Sequence, residues 1–585
     1  MKSPALAVSL AMALSVGLAL AIFGLRIANP HDVSWISIDI VTGQFGWELY
    51  RADPAHWFPM ITDRYSYPLT MPLAMYDNLP LLAMAVKMLT PAGPDQIQYF
   101  GPAFLFGMAL QALFAWLLLH EATGRRTGRD YLIAIFLGTM FFTTAPILLT
   151  RFAFTHMSLS HQWPVIASLW LYARSNRMEL SRTLRDFAIL EFVAASINPY
   201  IMAMTLMIYC GFILKLAVDR ELRLRNCVFL VVPVLIGALG LLISGFINPF
   251  AGKLLPGPGY GFFSANLFSP VNPMSGYFGP TLLPDLPTST SGQYEGFGYL
   301  GLGALLLLVG GLIFARFKGE NGDGLFPPLL VVSFLAYLLA LSAVVSFGKY
   351  SFDIKLPPFL FNVLIVFRSS GRFIWVVEYC LIFIAIAALI RLLKPRRAAV
   401  VLALAAVVQT VDLAPAMTVM RDRFAAIHGS EKFTDPFYQG LGKAHDTLIV
   451  LPAWQCQLWN DQHHDYDYTA FVPISNLVMD NHLRTNSFYA GRTPVAQANY
   501  HCITVPAAID KQPAGQHTAY LLSKYMFREH GAHIAATHLC DFADAFFICR
   551  SDRGQTGLTP RASQVAATLG NVTVPDTYRP EPVQP

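Results

Sequence analysis

The run ALAVSLAMALSVGLALAIF (5–23) carries no charged residue over 19 positions. As a helix rising about 1.5 Å per residue it nearly spans a bilayer's hydrocarbon core of about 30 Å. Lys2 precedes it and Arg26 closes it. Its apolar core exceeds the roughly 7–15 residues of a signal-peptide core, so it reads as an uncleaved signal-anchor helix. Cleavage would leave the orientation of the rest unchanged. Working outward, apolar runs of similar kind recur at about 100–120, 131–149, 160–173, 200–217, 226–246, 298–315, 325–347, 373–392 and 397–415, with a shorter one at 186–197. That makes about 11 expected spans. The composition agrees: 55% of the chain is hydrophobic and 13% is charged, where a soluble protein has about 25% charged residues. The net charge of +5 is spread over short loops. It therefore carries topology, not a nucleic-acid footprint.

The loops HEATGRRTGRD (120–130), ARSNRMELSRTLRD (173–186), VDRELRLRN (218–226), ARFKGENGDG (315–324) and RLLKPRRAA (391–399) are short and basic. They alternate along the spans as cytoplasmic loops must. With the N-terminus inside, the connections 26–99, 149–159, 247–297 and 348–372 face outward, as does everything after 416. The expected fold is mainly α, a polytopic membrane domain (1–415), followed by a soluble α/β domain (416–572) and a disordered Pro-rich tail (573–585). In a bacterial cell this places the chain in the inner membrane, multi-pass, with a periplasmic C-terminal domain. Loop 26–99 ends in an amphipathic stretch, NLPLLAMAVKML (78–89), expected to lie in the interface, and LPPFLFNVLIVFRSSGRF (356–373) repeats that theme. In FVAASINPY, Asn198-Pro199 breaks what would otherwise be one long helix. There is no internal repeat, Walker motif or Gly-rich dinucleotide fingerprint, which removes support for nucleotide-driven transport.

Seven cysteines divide by surroundings. Cys210, Cys227 and Cys380 lie in or beside apolar segments and read as inert. Cys456, Cys502, Cys540 and Cys549 lie in the polar C-terminal part without CxxC or zinc-type spacing, and four cysteines in an exported domain suggest two disulfides. Sequence proximity pairs Cys456 with Cys502 and Cys540 with Cys549.

The acids of the first outward loop differ in context. Asp32, Asp53 and Asp63 read as solvated loop carboxylates. Asp39 sits among isoleucines in ISIDIVTGQFGWELYR (36–51), with Trp47, Tyr50 and Arg51 as expected interface anchors. Asp77 opens the interfacial stretch, where it would cap a helix or react. A carboxylate under apolar cover tends to a raised pKa, which suits a general base. Alternatively, Asp39 and Asp77 would share a divalent cation, Mg or Mn, that neutralises a phosphate leaving group. On the same outward side stand Arg151, His156 and His161 (LTRFAFTHMSLSHQWP) and Arg368 with Arg372 (FRSSGRF). The two arginines beside two serines suit a phosphate clamp, against a blander reading as snorkelling side chains. The histidine spacing is poor for zinc. Gln293, Tyr294 and Glu295 (SGQYEGFGYLG, 291–301) would hydrogen-bond a sugar, or simply form an aromatic belt with turn glycines. DQHHDYDY (461–468) lacks ordered ligand spacing and reads as a solvated loop.

An acid after the first helix, interfacial helices in the first outward loop, short basic loops and an outward soluble domain resemble GT-C class glycosyltransferases. More closely, Asp39 with GWELYR (46–51), YDNLPLLA (76–83), QYFG (98–101), INPY (197–200), GQYEGFGYLG (292–301) and FRSSGRF (367–373) resemble an uncharacterised bacterial family of polytopic membrane proteins with GT-C-like architecture. The resemblance implies a polyprenyl-phosphate sugar donor, a glycan, lipid or protein acceptor, Asp39 as base, and Arg368 or Arg372 on the donor phosphate. The adjacent acidic pairs of many GT-C enzymes are absent, since a long loop separates Asp39 from Asp77. A lipid or glycan transporter, or a non-catalytic envelope assembly protein, is the competing expectation. Glu191 and Glu378 are its candidate intramembrane groups.

Overall fold

The computed structural model describes residues 3–571 apart from 37, 57, 92, 94, 155, 221–226, 248–258, 319–324, 430, 458–467 and 512–514. Most of DQHHDYDY, part of the 218–226 and 315–324 loops and the Pro-rich tail lie outside the described residues. The chain divides into two compact units. The first comprises 1–29, 100–241 and 257–426, and the second 30–99, 242–256 and 427–585.

The first unit is a helical bundle. Every apolar run expected to span contains a helix, and among the described residues six helices are long and apolar enough to cross a membrane: Pro4–Phe23, Phe100–Ala122, Arg129–Ala153, Pro199–Val218, Ser370–Leu392 and Pro395–Ala425. They mark a multi-pass membrane protein. They do not confirm the expected count of about 11 spans: the remaining helices, such as Trp163–Arg174 and Phe326–Leu341, are shorter or, like Leu180–Ile197, carry several charges. Local signals set the helix ends. Ser3 accepts a hydrogen bond from the Leu6 N–H at 3.2 Å, and Gly24, at φ +80°, ends the first helix where a side chain would be strained. Asn198 separates Leu180–Ile197 from Pro199–Val218 as the sequence predicts, its side chain accepting from the Tyr200 N–H at 2.9 Å. The Ile374–Leu392 helix is buried on nearly every side. By contrast, Leu6, Leu10 and Leu14 line an exposed face of the first helix, and Val400, Leu404, Val407 and Val411 one of the last. Such apolar faces suit lipid contact.

The second unit is built on a mixed six-stranded sheet of β1 (Thr447–Leu451), β2 (Arg484–Thr485), β3 (Thr518–Leu522), β4 (Leu539–Ala543), β5 (Phe546–Arg550) and β6 (Gly557–Leu558), in the order β6-β4-β5-β3-β1-β2. Strands β2, β1 and β3 run parallel, while β5 pairs antiparallel with both β3 and β4. Cys540 and Cys549 face each other in the β4–β5 register and are joined, as are Cys456 and Cys502. Both expected disulfides are present. Such bonds form in oxidising compartments.

Residues 30–99 belong to this second unit, a grouping that the expected boundary at 415/416 did not contain. The reason is packing. Phe45, Leu49, Tyr65, Met71 and Tyr76 share one core with Leu448, Val450, Phe471 and Val478. The backbone is tied as well: Tyr67 N–H donates to Thr485 O at 2.9 Å, and Gly491 N–H to Met75 O at 2.9 Å. Trp47, Tyr50 and Arg51, expected as interface anchors, are buried in this unit. Trp47 Nε1 donates to Ile97 O at 2.8 Å, and Arg51 is paired with Glu48 at 2.7 Å. Asp53, expected in solvent, is likewise buried. Its carboxylate accepts from Thr62 Oγ1, His56 and the Ala55 N–H. The amphipathic stretch is a helix, Pro80–Leu89, that exposes Leu82, Met88 and Leu89 and buries Lys87. The buried Lys87 Nζ donates to the carbonyls of Tyr50, Asp53 and His56.

Candidate functional site

In the first unit, four sequence stretches meet at Glu295. This residue sits in a short helical turn, Ser291–Gly296, and is buried. Its Oε2 accepts from Arg151 Nη1 at 2.7 Å and from Arg372 Nε at 2.9 Å, and its Oε1 from Arg372 Nη2 at 2.8 Å. Arg151 Nη2 also reaches the Glu295 carbonyl at 3.2 Å. Both arginines are buried. Arg151 stacks over Trp375, 5.0 Å from the ring centroid, and Arg372 over Tyr200 at 4.6 Å. Arg368 is half-buried and lies 5.5 Å over Phe263.

Two glycines allow these segments to approach. A Cβ on Gly371 would fall 2.7 Å from Gly296 Cα, and one on Gly296 2.4 Å from Ala265 Cα. Side chains there would push Glu295 away from its arginines. The helix break is also drawn in, since the Ser369 N–H donates to Tyr200 Oη at 2.9 Å, and Asn198 Nδ2 donates to Ser158 Oγ at 2.8 Å. INPY, LTRFAFTH, GQYEGFG and FRSSGRF thus build one locus. Its aromatic walls are Tyr200, the last residue of INPY, and Phe263 and Trp375, which lie in none of the motifs read from the sequence.

The electrostatics are one-sided. Burial alone would raise the Glu295 carboxyl, but the guanidiniums of Arg151 and Arg372 outweigh it and hold it well below the ordinary range. Burial takes the His156 imidazole down to about 3; the charges of Arg372, Arg151 and Arg368 add to this and Glu295 opposes it. His156 Nε2 lies 4.0 Å from Glu295 Oε1. Burial takes His161 down to about 4. His161 lies instead against Gly107; with His156 neutral, Arg151 and Arg372 share the one carboxylate and Arg368 adds a third positive charge acting on His156. The surplus favours an anion, and the guanidinium fork suits phosphate.

The remaining candidates are placed differently. Gln293 is buried, its Oε1 accepting from Asn266 Nδ2 and the Ser289 N–H, both at 3.1 Å. Glu295 gives both oxygens to arginine, Gln293 Nε2 is buried without a hydrogen-bond partner among the described residues, and Tyr294 stays half-buried, 6.1 Å from the Phe263 ring. Asp39 and Asp77 belong to the second unit. Asp39 lies in the first turn of the Ile38–Arg51 helix, and its side chain is outside the described residues. Asp77 does not cap the Pro80–Leu89 helix, whose N-cap is Leu79; it ends the preceding turn, Leu73–Tyr76, at φ +51°. Among the described residues, the one group of metal-capable side chains is Asp53, His56 and Asp63, which includes neither.

No curated protein is similar enough in sequence to match. Among solved structures, the chain is similar to the oligosaccharyltransferase of Archaeoglobus fulgidus in its apo form, at 12% identity and a TM-score of 0.42, over 89% of this chain and 70% of that one. A likeness at that level argues neither fold nor function. Two family models match the sequence: DUF6311, described as a domain of unknown function, over residues 12–414, and the DUF6311 C-terminal domain over 437–551. The first alone covers more than half of the chain, which therefore belongs to the DUF6311 family.

Proposed function

We propose that this chain is an integral-membrane glycosyltransferase that moves a sugar from a polyprenyl-phosphate donor to a cell-envelope glycan, lipid or protein at the periplasmic face. The observation that supports this most is the surplus of guanidinium around Glu295. Arg151 and Arg372 are committed to that carboxylate. Arg368 has no carboxylate partner among the described residues, and is the group proposed to receive the donor phosphate. Asp39 is proposed as the base, on carboxylate chemistry and the family resemblance, with Asp77 as the alternative. The base takes the proton of the acceptor hydroxyl as its oxygen bonds to the anomeric carbon. The sugar–phosphate bond breaks, and polyprenyl phosphate leaves with the electron pair.

A transport reading has one observation in its favour. Glu378 lies in the Ile374–Leu392 helix with both carboxylate oxygens buried and without a hydrogen-bond partner among the described residues. Intramembrane carboxyls of that kind serve ion or substrate pathways in many proteins. Lipid and glycan profiling of a deletion strain separates the readings. For the transferase, a polyprenyl-linked sugar accumulates, wild type clears it, and membrane-inserted Asp39→Asn and Arg368→Ala do not. An unchanged lipid-linked sugar pool in the deletion strain would sink the transferase. Full complementation by Asp39→Asn together with failure of Glu378→Gln would favour transport.

A further inference from the structure

The first unit holds a pocket far from Glu295 and unused by the reaction proposed above. The Ile374–Leu392 helix starts beside the candidate site, and Arg391 near its other end lines this pocket. From Ile374 to Arg391 the helix runs roughly 26 Å. The pocket has a volume of about 730 Å³, within the usual range of small-molecule sites.

Its two halves differ in chemistry. One carries Arg126, Arg177 and Arg391, with Glu121 as the carboxylate in the lining. Glu121 is already engaged by Arg125 at 2.7 Å and by Arg177 at 3.5 Å. Arg126 donates to Tyr131 Oη, and Arg391 Nε donates to Ala122 O at 2.7 Å. These bonds orient the guanidiniums of Arg126 and Arg391 in the lining. The other half is apolar, formed by Leu308, Leu330, Ile384 and Ala388.

A soluble anion would use the arginines and gain nothing from that wall. A neutral lipid would use the wall and leave the charge unanswered. An amphiphile with an anionic phosphate head uses both, and basic pockets between membrane helices characteristically hold such headgroups. The pocket also lies at the end of the unit carrying the short Lys/Arg-rich loops 120–130 and 173–186, where a lipid headgroup layer would be. We propose that this pocket binds an anionic membrane phospholipid, its phosphate among Arg126, Arg177 and Arg391 and its acyl chain against Leu308, Leu330, Ile384 and Ala388.

The test uses the full chain in detergent, titrated with phosphatidylglycerol, phosphatidylcholine or glycerol phosphate, with bound ligand counted by native mass spectrometry. Phosphatidylglycerol is expected to bind at least about tenfold more tightly than phosphatidylcholine, and the Arg126→Ala/Arg177→Ala variant to lose at least about tenfold of that affinity. Ala388→Phe, which keeps the arginines and fills the apolar half, is expected to block the lipid. It decides the matter if the arginine variant fails to fold, and the arginine variant decides if Ala388→Phe does. Equal binding of the two lipids would overturn the proposal, as would unchanged binding in well-folded variants. Displacement of the lipid by equimolar glycerol phosphate would reassign the pocket to a soluble phosphate and overturn it too.

Discussion

Each unit buries a carboxylate with arginine, and the proportions differ. In the second unit Glu48 pairs with Arg51 alone. Its Oε2 accepts from Arg51 Nε at 3.0 Å and Nη2 at 2.7 Å, and its Oε1 from the Ile97 N–H at 2.7 Å. Arg51 Nη2 also donates to Asp95 O at 2.7 Å. That network is balanced and knits the 38–51 helix to the 91–97 segment. In the first unit Glu295 is shared by two guanidiniums, with Arg368 adding a third charge close enough to act on His156. A balanced buried pair organises a fold, whereas an unbalanced cluster keeps charge available for a ligand.

The largest test of this contrast is Glu295→Gln. It leaves Arg151 and Arg372 buried without a counter-charge, and should destabilise the first unit by about 3–5 kcal/mol. Thermal unfolding in detergent reads it; a change below about 1 kcal/mol would mean that the cluster does not hold these segments together. Glu48→Gln should cost less, about 1–3 kcal/mol, because Arg51 keeps its carbonyl acceptors. Limited proteolysis between residues 30 and 99 reports it.

Acidity separates the two buried carboxylate clusters by sign, at up to about 1.4 kcal/mol per pH unit for each titrating group. Below the ordinary histidine value of 6.5 the unfolded chain takes up protons that His156 and His161, held down at about 3 and 4, refuse. The first unit therefore loses stability as pH falls from 6.5 towards 4. It loses more below 4.5, where the depressed Glu295 carboxyl resists protonation. Glu48 works the other way. Burial, opposed by Arg51, raises it to about 7, so its contribution is fully present below 4.5 and is lost as pH rises through 7. Unfolding followed from pH 4 to 8 in His156→Gln and Glu48→Gln should shift the profile in opposite directions; parallel shifts would refute the contrast. Arg368→Ala has the smallest effect on stability. It loses a cation–π contact worth about 0.5–1 kcal/mol, while the transfer activity proposed for the chain should fail. A variant that is active and stable would remove Arg368 from the site.

The Cys540–Cys549 pair, the Asn198 break and the helical runs were legible because each depends on nearby residues, and the Cys456–Cys502 pair followed as the two polar-end cysteines left over. The interface anchors were misread for a physical reason. Trp47, Tyr50 and Arg51 combine apolar bodies with polar tips, which suits a bilayer surface and equally a core whose carbonyls accept hydrogen bonds. Composition does not distinguish the two. The carbonyls of Pro91, Asp95 and Ile97 that accept from Arg51 and Trp47 come from 40 to 50 positions further along the chain. For the same reason the sequence singled out Arg151, the Arg368–Arg372 pair and Glu295 as separate candidates and could not bring them together.

Hydrophobic periodicity and charge bias by themselves determined a multi-pass helical protein with a cysteine-bearing polar end, since span length and loop charge are local properties that water and lipid sort directly. Only the tertiary structure decided that residues 30–99 join the C-terminal sheet, because that depends on a shared core. Only it decided which arginines are neutralised by Glu295 and which guanidinium retains its charge, because electrostatic balance belongs to distances in space and not to spacing along the chain.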